Sequence, residues 1–415
     1  MSRRRFAPPA LVVSAVSVVV VTMAALVPGA SGAEPAPAPT PVRGVSDTTI
    51  TIGGLGQLIR YPGADIGARA RLQRANNEGG VNGRTFNYIG MRDDTGVGET
   101  GKQVATALVQ TDQVFAIAPV ITPDLAAAPD LSAQHVPYFG WAVSSNFCGN
   151  DWGFSFTGCS FPPGGGTTSN VWGLLVKQMF GTAAAGKTAA VVTESTDSGK
   201  YFLTTVTAGV NGAGLKVVSS TSPLPIPAVA DYAALAQAVL TSNAGGAPDA
   251  VFVMASYANV AQLHQAMKAA GYLGQFTNTV EYEPDLVAAA TGSLVLLPTA
   301  AVESASTNPP MAQLVADVTA IAPGVPIDQS VVAGYWSADL LVAAVQRAGR
   351  NLTPESLVAK ANKKFTYRVK GAVGPVPFPT AHDEPAPCGS LVVSSGTAYA
   401  VAQPYRCGKV VDVGG

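Results

Sequence analysis

Thr49-Ile50-Thr51-Ile52-Gly53-Gly54 is a β-branched run that ends in glycines and reads as a buried strand. Gly63 to Asn77 follows with the spacing of a helix, and Phe86 to Met91 forms a second strand with Asp93-Asp94 at its end. A strand, a helix and a strand in succession make a βαβ unit, which implies a parallel sheet covered by helices.

The same rhythm continues outward. Gly98 to Gln110 is predicted helical, with Val104, Ala107 and Leu108 on one face. Val114 to Pro119 is a third strand, Asp124 to His135 a short helix and Pro137 to Trp141 a fourth strand. Between Phe154 and Thr168 the alternation breaks at Cys159, Pro162-Pro163 and Gly164-Gly165-Gly166. It then restarts. Helices are predicted over Val171–Phe180, Tyr201–Gly212, Asp231–Thr241 and Val260–Ala270. Strands are predicted over Thr188–Thr193, Leu215–Ser220, Asp249–Met254 and Phe276–Glu281. Two further helices, Val331–Ala348 and Pro354–Lys363, lie near the C-terminus. Two blocks of alternation predict an α/β protein of two doubly wound parallel-sheet lobes.

The composition agrees. Of 415 residues, 47% are hydrophobic and 12% charged, against about 25% charged in an ordinary soluble domain. The surplus is mostly Ala, Gly and Val, which suits closely packed α/β layers. One apolar stretch, Ala10 to Val27, is long enough to consider as membrane-embedded. It follows the basic Ser2-Arg3-Arg4-Arg5-Phe6 and precedes the small residues Ala30-Ser31-Gly32-Ala33. This is the three-part layout of a secretory signal, expected to be cleaved after Ala33. A retained anchor is the alternative, and the arginines fit general or twin-arginine export. No cysteine near the cleavage site offers attachment for a lipoprotein anchor. Removing residues 1–33 takes three arginines and no acid, leaving 22 basic against 26 acidic side chains, a balance of −4. That gives no footprint for nucleic acid. Glu34 to Pro41 reads EPAPAPTP, so residues 34–45 are expected to form an exposed tether, with order beginning near Ser46.

Cys148, Cys159, Cys388 and Cys407 all lie in the exported part, where disulfides persist. Three pairings are possible. Cys148–Cys159 and Cys388–Cys407 are favoured because each brackets one short excursion. The spacing does not suit a metal site, and no metal or other cofactor is expected.

Asn76-Asn77-Glu78-Gly79-Gly80-Val81-Asn82-Gly83-Arg84, followed by Asp93-Asp94, resembles the turn between first helix and second strand in type I periplasmic solute-binding proteins of the branched-chain amino acid and amide group. Gly334-Tyr335-Trp336-Ser337-Ala338-Asp339 and Val373-Gly374-Pro375 are similar to the same family. The resemblance runs from Thr49 to the C-terminus. It implies three chain crossings between the lobes, placed near residues 156–166, 296–301 and 371–376. Lobe one is then 46–158 plus 299–372, and lobe two 159–298 plus 373–415.

Ligands of open parallel sheets bind beyond the carboxyl ends of the strands. This selects residues 57–63, 120–124 and 141–146 in lobe one, and 194–201, 256–259 and 281–285 in lobe two. The resemblance places a ligand carboxylate near Thr122 and Ala142 to Ser145, Ser144 included, with Glu281, Tyr257 and Tyr282 facing the rest of the molecule and Tyr61 covering it. Ser198 stands where the family often has an aromatic residue, with Tyr201 close by. Plainer roles compete: Thr122 as a helix cap, Glu281 and Glu283 as solvated acids, Tyr257 as packing, Trp141 as a core or hinge residue. The carboxylate loop Val120-Ile121-Thr122-Pro123 has one hydroxyl, so an apolar or aromatic carboxylate fits as well as an amino acid.

Gly181-Thr182-Ala183-Ala184-Ala185-Gly186-Lys187-Thr188 matches the phosphate-loop pattern, but a helix precedes it and a strand follows, the reverse of the required context. Lys187 is read as solvated. His135, His264 and His382 form no metal-binding pair, and there is no nucleophile elbow. The resemblance therefore implies a monomeric binding protein without catalysis, which captures a small molecule for a membrane ABC permease. The alternative is a sensor domain that signals to a membrane partner.

Overall fold

The computed structural model describes residues 41–162, 166–280 and 282–414. The signal segment 1–33, the tether up to Thr40 and Glu281 lie outside them. Order begins earlier than Ser46. The Arg43 guanidinium donates to Val114 O at 2.9 Å, and Thr51 N–H donates to Gly44 O at 2.7 Å.

Lobe one opens with β1 (Thr49–Gly56), α1 (Ala64–Asn77), β2 (Thr85–Asp93), α2 (Gly98–Gln110), β3 (Ala116–Ile121), α3 (Ala128–Ala133), β4 (Tyr138–Gly140) and β5 (Gly153–Ser155). The strands form one parallel sheet in the order β2-β1-β3-β4-β5. The turn after α1 explains its glycines. Gly80 has φ +77°, and a Cβ there would lie 2.1 Å from Arg84 O. The turn is pinned from outside, since Asn82 Nδ2 donates to Val345 O and Arg84 Nη1 to Arg350 O.

The chain then crosses to lobe two: β6 (Thr167–Ser169), α4 (Val171–Met179), β7 (Thr188–Glu194), α5 (Asp197–Gly212), β8 (Lys216–Leu224), α6 (Tyr232–Leu240), β9 (Ala250–Met254), α7 (Tyr257–Ala269), β10 (Gln275–Asn278) and β11 (Leu294–Leu297). α5 starts four residues before the predicted Tyr201 because Thr196 caps it, its hydroxyl accepting from Gly199 N–H at 2.9 Å. Lys187 is half-buried and paired. Its ammonium donates to Asp249 at 2.6 Å beside the amino ends of β7 and β9.

A second crossing returns the chain to lobe one for α8 (Pro309–Ile321), α9 (Gln329–Ala348), α10 (Pro354–Ala361), β12 (Phe365–Val369) and β13 (Val373–Phe378). The chain finishes with β14 (Cys388–Ser394), β15 (Tyr399–Cys407) and β16 (Val410–Asp412). β14 and β15 extend the second sheet, which runs β15-β14-β11-β10-β9-β7-β8 with its last two additions antiparallel.

The expected boundary at residue 373 comes too early. β13 pairs antiparallel with β12, and Val373, Val376 and Phe378 are buried in the core of lobe one. Alternate side chains of β13 fill that core, so the third crossing falls after the His382 turn. There it lies beside the first crossing: Cys159 N–H donates to Ala381 O and Glu384 O, and Ala386 N–H to Thr157 O. The second crossing joins them, with Ala300 N–H on Ala372 O and the Ser390 hydroxyl on Thr299 O. Both favoured disulfides are present. Cys148–Cys159 ties a lobe-one loop to the first crossing, and Cys388–Cys407 joins β14 to β15.

His264 is a buried residue of α7, packed 4.6 Å from Phe276. Burial lowers its pKa to about 4, helped by the nearby Lys268 ammonium. Burial likewise lowers His382 at the third crossing. A depressed histidine pKa favours the native state while the ring is neutral. That stability is full above the ordinary pKa near 6.5 and is lost as pH falls through about 4. Acidification from pH 7 to 4.5 is expected to lower the folding equilibrium at least tenfold, about one pKa unit of linkage. In urea titrations at both pH values, His264→Gln should flatten this dependence; an unchanged slope would reject the assignment.

Candidate functional site

The first five strands of each sheet are ordered alike, and the three crossings run past β5, β11 and β14. The carboxyl ends of the strands therefore face each other across a cleft beside this hinge. In lobe one, Asp93 Oδ1 accepts from Leu58 N–H and Thr95 N–H, which joins the loops after β1 and β2. Tyr61 packs edge-to-face on Trp141 at 6.0 Å, and the Arg60 guanidinium lies 5.6 Å from the Tyr61 ring centre. Burial raises the Tyr61 phenol; Arg60 pulls it back, and the Glu283 carboxylate of lobe two adds to the rise.

The polar cradle expected of lobe one is committed elsewhere. Thr122 is fully buried and caps no helix, since α3 begins only at Ala128. Its hydroxyl stands beside the buried Asp94 carboxyl, outside hydrogen-bond geometry. Burial raises the Asp94 pKa, opposed by that hydroxyl and by the Gly96 N–H. Ala142 N–H donates to Ser155 Oγ at 3.1 Å, so the amide is not offered to a ligand. Ser144 Oγ accepts from Leu125 N–H and Asn146 N–H, holding its loop together. Ser145 is exposed.

Ser198 is exposed in the first turn of α5. The aromatic wall near it is Phe161, Tyr201 and Phe202, with Phe161 5.0 Å from Phe202 and 6.4 Å from Tyr201. Tyr201 OH donates to Pro162 O, fixing this wall to the first crossing, and burial pushes its phenol up to about 12. Tyr257 is half-buried at the start of α7. Glu194 accepts from Ser256 N–H and Asn259 Nδ2 at 2.8 and 2.9 Å, setting the neighbouring loop. Tyr282 is buried; its OH donates to Glu303 and its ring packs 5.1 Å from Tyr399. These residues, with Ile327, line a crevice of about 210 Å³ between the lobes. A larger hollow of about 310 Å³, at Arg43, His135 and Glu355, is at the opposite end of lobe one and away from the cleft.

The structure thus brings Tyr61 and the lobe-two loops near one another and turns Thr122, Ala142 and Ser144 inward. Sequence reasoning pointed to Tyr201 but missed Phe202 and its meeting with Phe161, which lies much earlier in the chain, and gave Trp141 a core or hinge role alone. Among the described residues, no group of three or more His, Cys, Asp or Glu side chains is set to hold a metal ion.

A family model described as periplasmic binding protein matches residues 50–396. The chain belongs to that family. Solved structures agree on the type I fold. A fatty acid ABC transporter substrate-binding protein from Thermomonospora curvata is 21% identical, with 89% of this chain and 95% of that one covered and a TM-score of 0.65. A solute-binding protein of an ABC transporter from R. palustris, in complex with 4-hydroxybenzoate, is 19% identical over 86% of this chain and 97% of its own, with a TM-score of 0.64. A substrate-binding protein from Aeropyrum pernix is 17% identical over 87% and 96%, with a TM-score of 0.66. No curated protein matches the sequence. Among the described residues, no helix of this periplasmic binding protein is long and apolar enough to cross a membrane.

Proposed function

We propose that this periplasmic binding protein is exported, captures a small solute with an aromatic or apolar body between its lobes, and presents it to an ABC importer. The observation that carries the reading is the pair of aromatic walls at the strand ends, Tyr61–Trp141 in lobe one and Phe161–Tyr201–Phe202 at the first crossing. Aromatic faces give a flat or aliphatic body large contact area. The inward commitment of Thr122, Ala142 and Ser144 argues against the dense polar cradle an α-amino acid requires. A fatty acid ABC transporter substrate-binding protein and a solute-binding protein in complex with 4-hydroxybenzoate, both of similar fold, support the same class. Arg60, exposed above Tyr61, supplies a positive charge for a carboxylate.

A thermal-shift screen tests this with benzoate, 4-hydroxybenzoate, medium-chain fatty acids and branched-chain amino acids. A solute at a hundredfold excess over its dissociation constant adds about 2.7 kcal/mol, so an aromatic or fatty acid is expected to raise the melting temperature. Trp141→Ala should weaken that solute at least tenfold, about 1.4 kcal/mol. A response to amino acids alone would reject the solute class. Silence across the panel would reject small-carboxylate capture.

A further inference from the structure

Seven large hydrophobic side chains are exposed among the described residues, and four of them stand on the loops after β1, β2 and β8. Ile59 is 85% exposed and Val97 53%, on the joined loops after β1 and β2. Ile226 is 59% exposed and Val229 80%, on the proline-rich loop after β8. Topology relates the two places. β2 is the edge strand of lobe one and β8 the edge strand of lobe two, each farthest in its sheet from the crossings. Their carboxyl ends are therefore the two sides of the cleft mouth, opposite the hinge.

Neither loop is loosely attached. In lobe one, Asp93 holds Leu58 N–H and Thr95 N–H. In lobe two, the fully buried Asn259 donates to Pro225 O at 2.9 Å and accepts from Tyr232 OH at 2.7 Å, while its Nδ2 also reaches Glu194. Each loop is anchored by buried or shared polar groups and still turns aliphatic side chains to water. Water-exposed aliphatic groups gain free energy by meeting one another.

We propose that these loops are opposed apolar lips, and that closure of the lobes buries Ile59 and Val97 against Ile226 and Val229. The lips then hold the closed state together independently of what the cleft contains. The proposal rests on the two-lobe closure of the preceding reading and not on the identity of the solute.

The test uses the full chain without solute. Val97→Cys with Val229→Cys introduces two exposed thiols, and the native cysteines do not compete because all four are in disulfides. A disulfide forms only when its Cα atoms come within about 7 Å, so mild oxidation traps the lips if they meet. Rapid intramolecular trapping is expected, with none for Val97→Cys paired with Leu273→Cys, since Leu273 is exposed beyond the far end of α7. Adding Ile59→Ser and Ile226→Ser should slow trapping at least tenfold, because aliphatic burial is lost on both sides. Two outcomes overturn the proposal: no cross-link although both thiols react with a maleimide, or a trapping rate untouched by the serine substitutions. Failure of the solute screen would leave this result standing, and the reverse is also true.

Discussion

Asp339→Ala is expected to lose about 3–5 kcal/mol of folding stability, the usual cost of breaking a buried ion pair from one side. Asp339 Oδ1 accepts from Arg71 Nε at 2.5 Å, and its Oδ2 accepts from Tyr367 OH at 2.8 Å. Arg71 is 6% exposed, and its Nη1 is buried with no hydrogen-bond partner. Burial by itself pushes the guanidinium pKa down, and the Asp339 charge more than reverses this. Removing the carboxylate therefore leaves the Arg71 cation buried without an ion-pair partner, and the Asp317 carboxylate is already occupied by Arg74 at 3.2 Å and Tyr335 OH at 2.6 Å. Asp339→Asn keeps an acceptor in place and should cost less. Lys200→Ala breaks a highly exposed pair with Asp197 and should leave the urea midpoint unchanged. A loss below about 1 kcal/mol for Asp339→Ala in urea unfolding would show that the pair is not a determinant of stability.

Gly334→Val should be nearly as damaging, at or beyond the upper end of the roughly 1–3 kcal/mol typical of overpacking. A Cβ at Gly334 would sit 2.0 Å from Ala64 O, and one at Gly67 would sit 1.9 Å from Val331 O. α1 and α9 thus touch backbone to backbone, which only glycine permits. Because one substitution already forces the helices apart, Gly67→Val added to Gly334→Val should cost less than the sum of the two. Calorimetric melting of the two single variants and the double variant decides this; additive losses would refute the shared contact. The effect should also reach the cleft. Ser330 Oγ at the start of α9 accepts from Gly63 N–H at 2.9 Å, at the end of the loop that carries Tyr61. Displacing α9 moves that loop, so solute affinity is expected to fall together with stability.

These two predictions show how the family motifs act. Gly334 and Asp339 belong to one short stretch, and their roles are helix contact and charge burial within lobe one. The Gly79-Gly80 and Asn82-Gly83 turn likewise positions the second strand against α9. The residues that make the resemblance recognisable maintain the scaffold within lobe one, so the fold was legible while the solute was not. Helix starts were misplaced where a cap lies upstream of the apolar pattern, as at Thr196 before α5 and Asp328 before α9. The third crossing was misplaced because Val373-Gly374-Pro375 carries hinge-like residues inside a hairpin.

The sequence by itself determined the α/β class and the two blocks of alternation and favoured the pairing of four cysteines, because periodicity and short loops are local properties of the chain. It also pointed to the strand-end loops as the place of the site. Only the tertiary structure decided which groups in those loops are available. Thr122 turned towards Asp94, the Ala142 amide went to Ser155, and Phe161 met Tyr201 and Phe202 across a crossing. A hydroxyl or an amide has the same identity whether it faces a ligand or a buried neighbour. Its direction is set by packing among residues remote in the chain, and no local pattern encodes that.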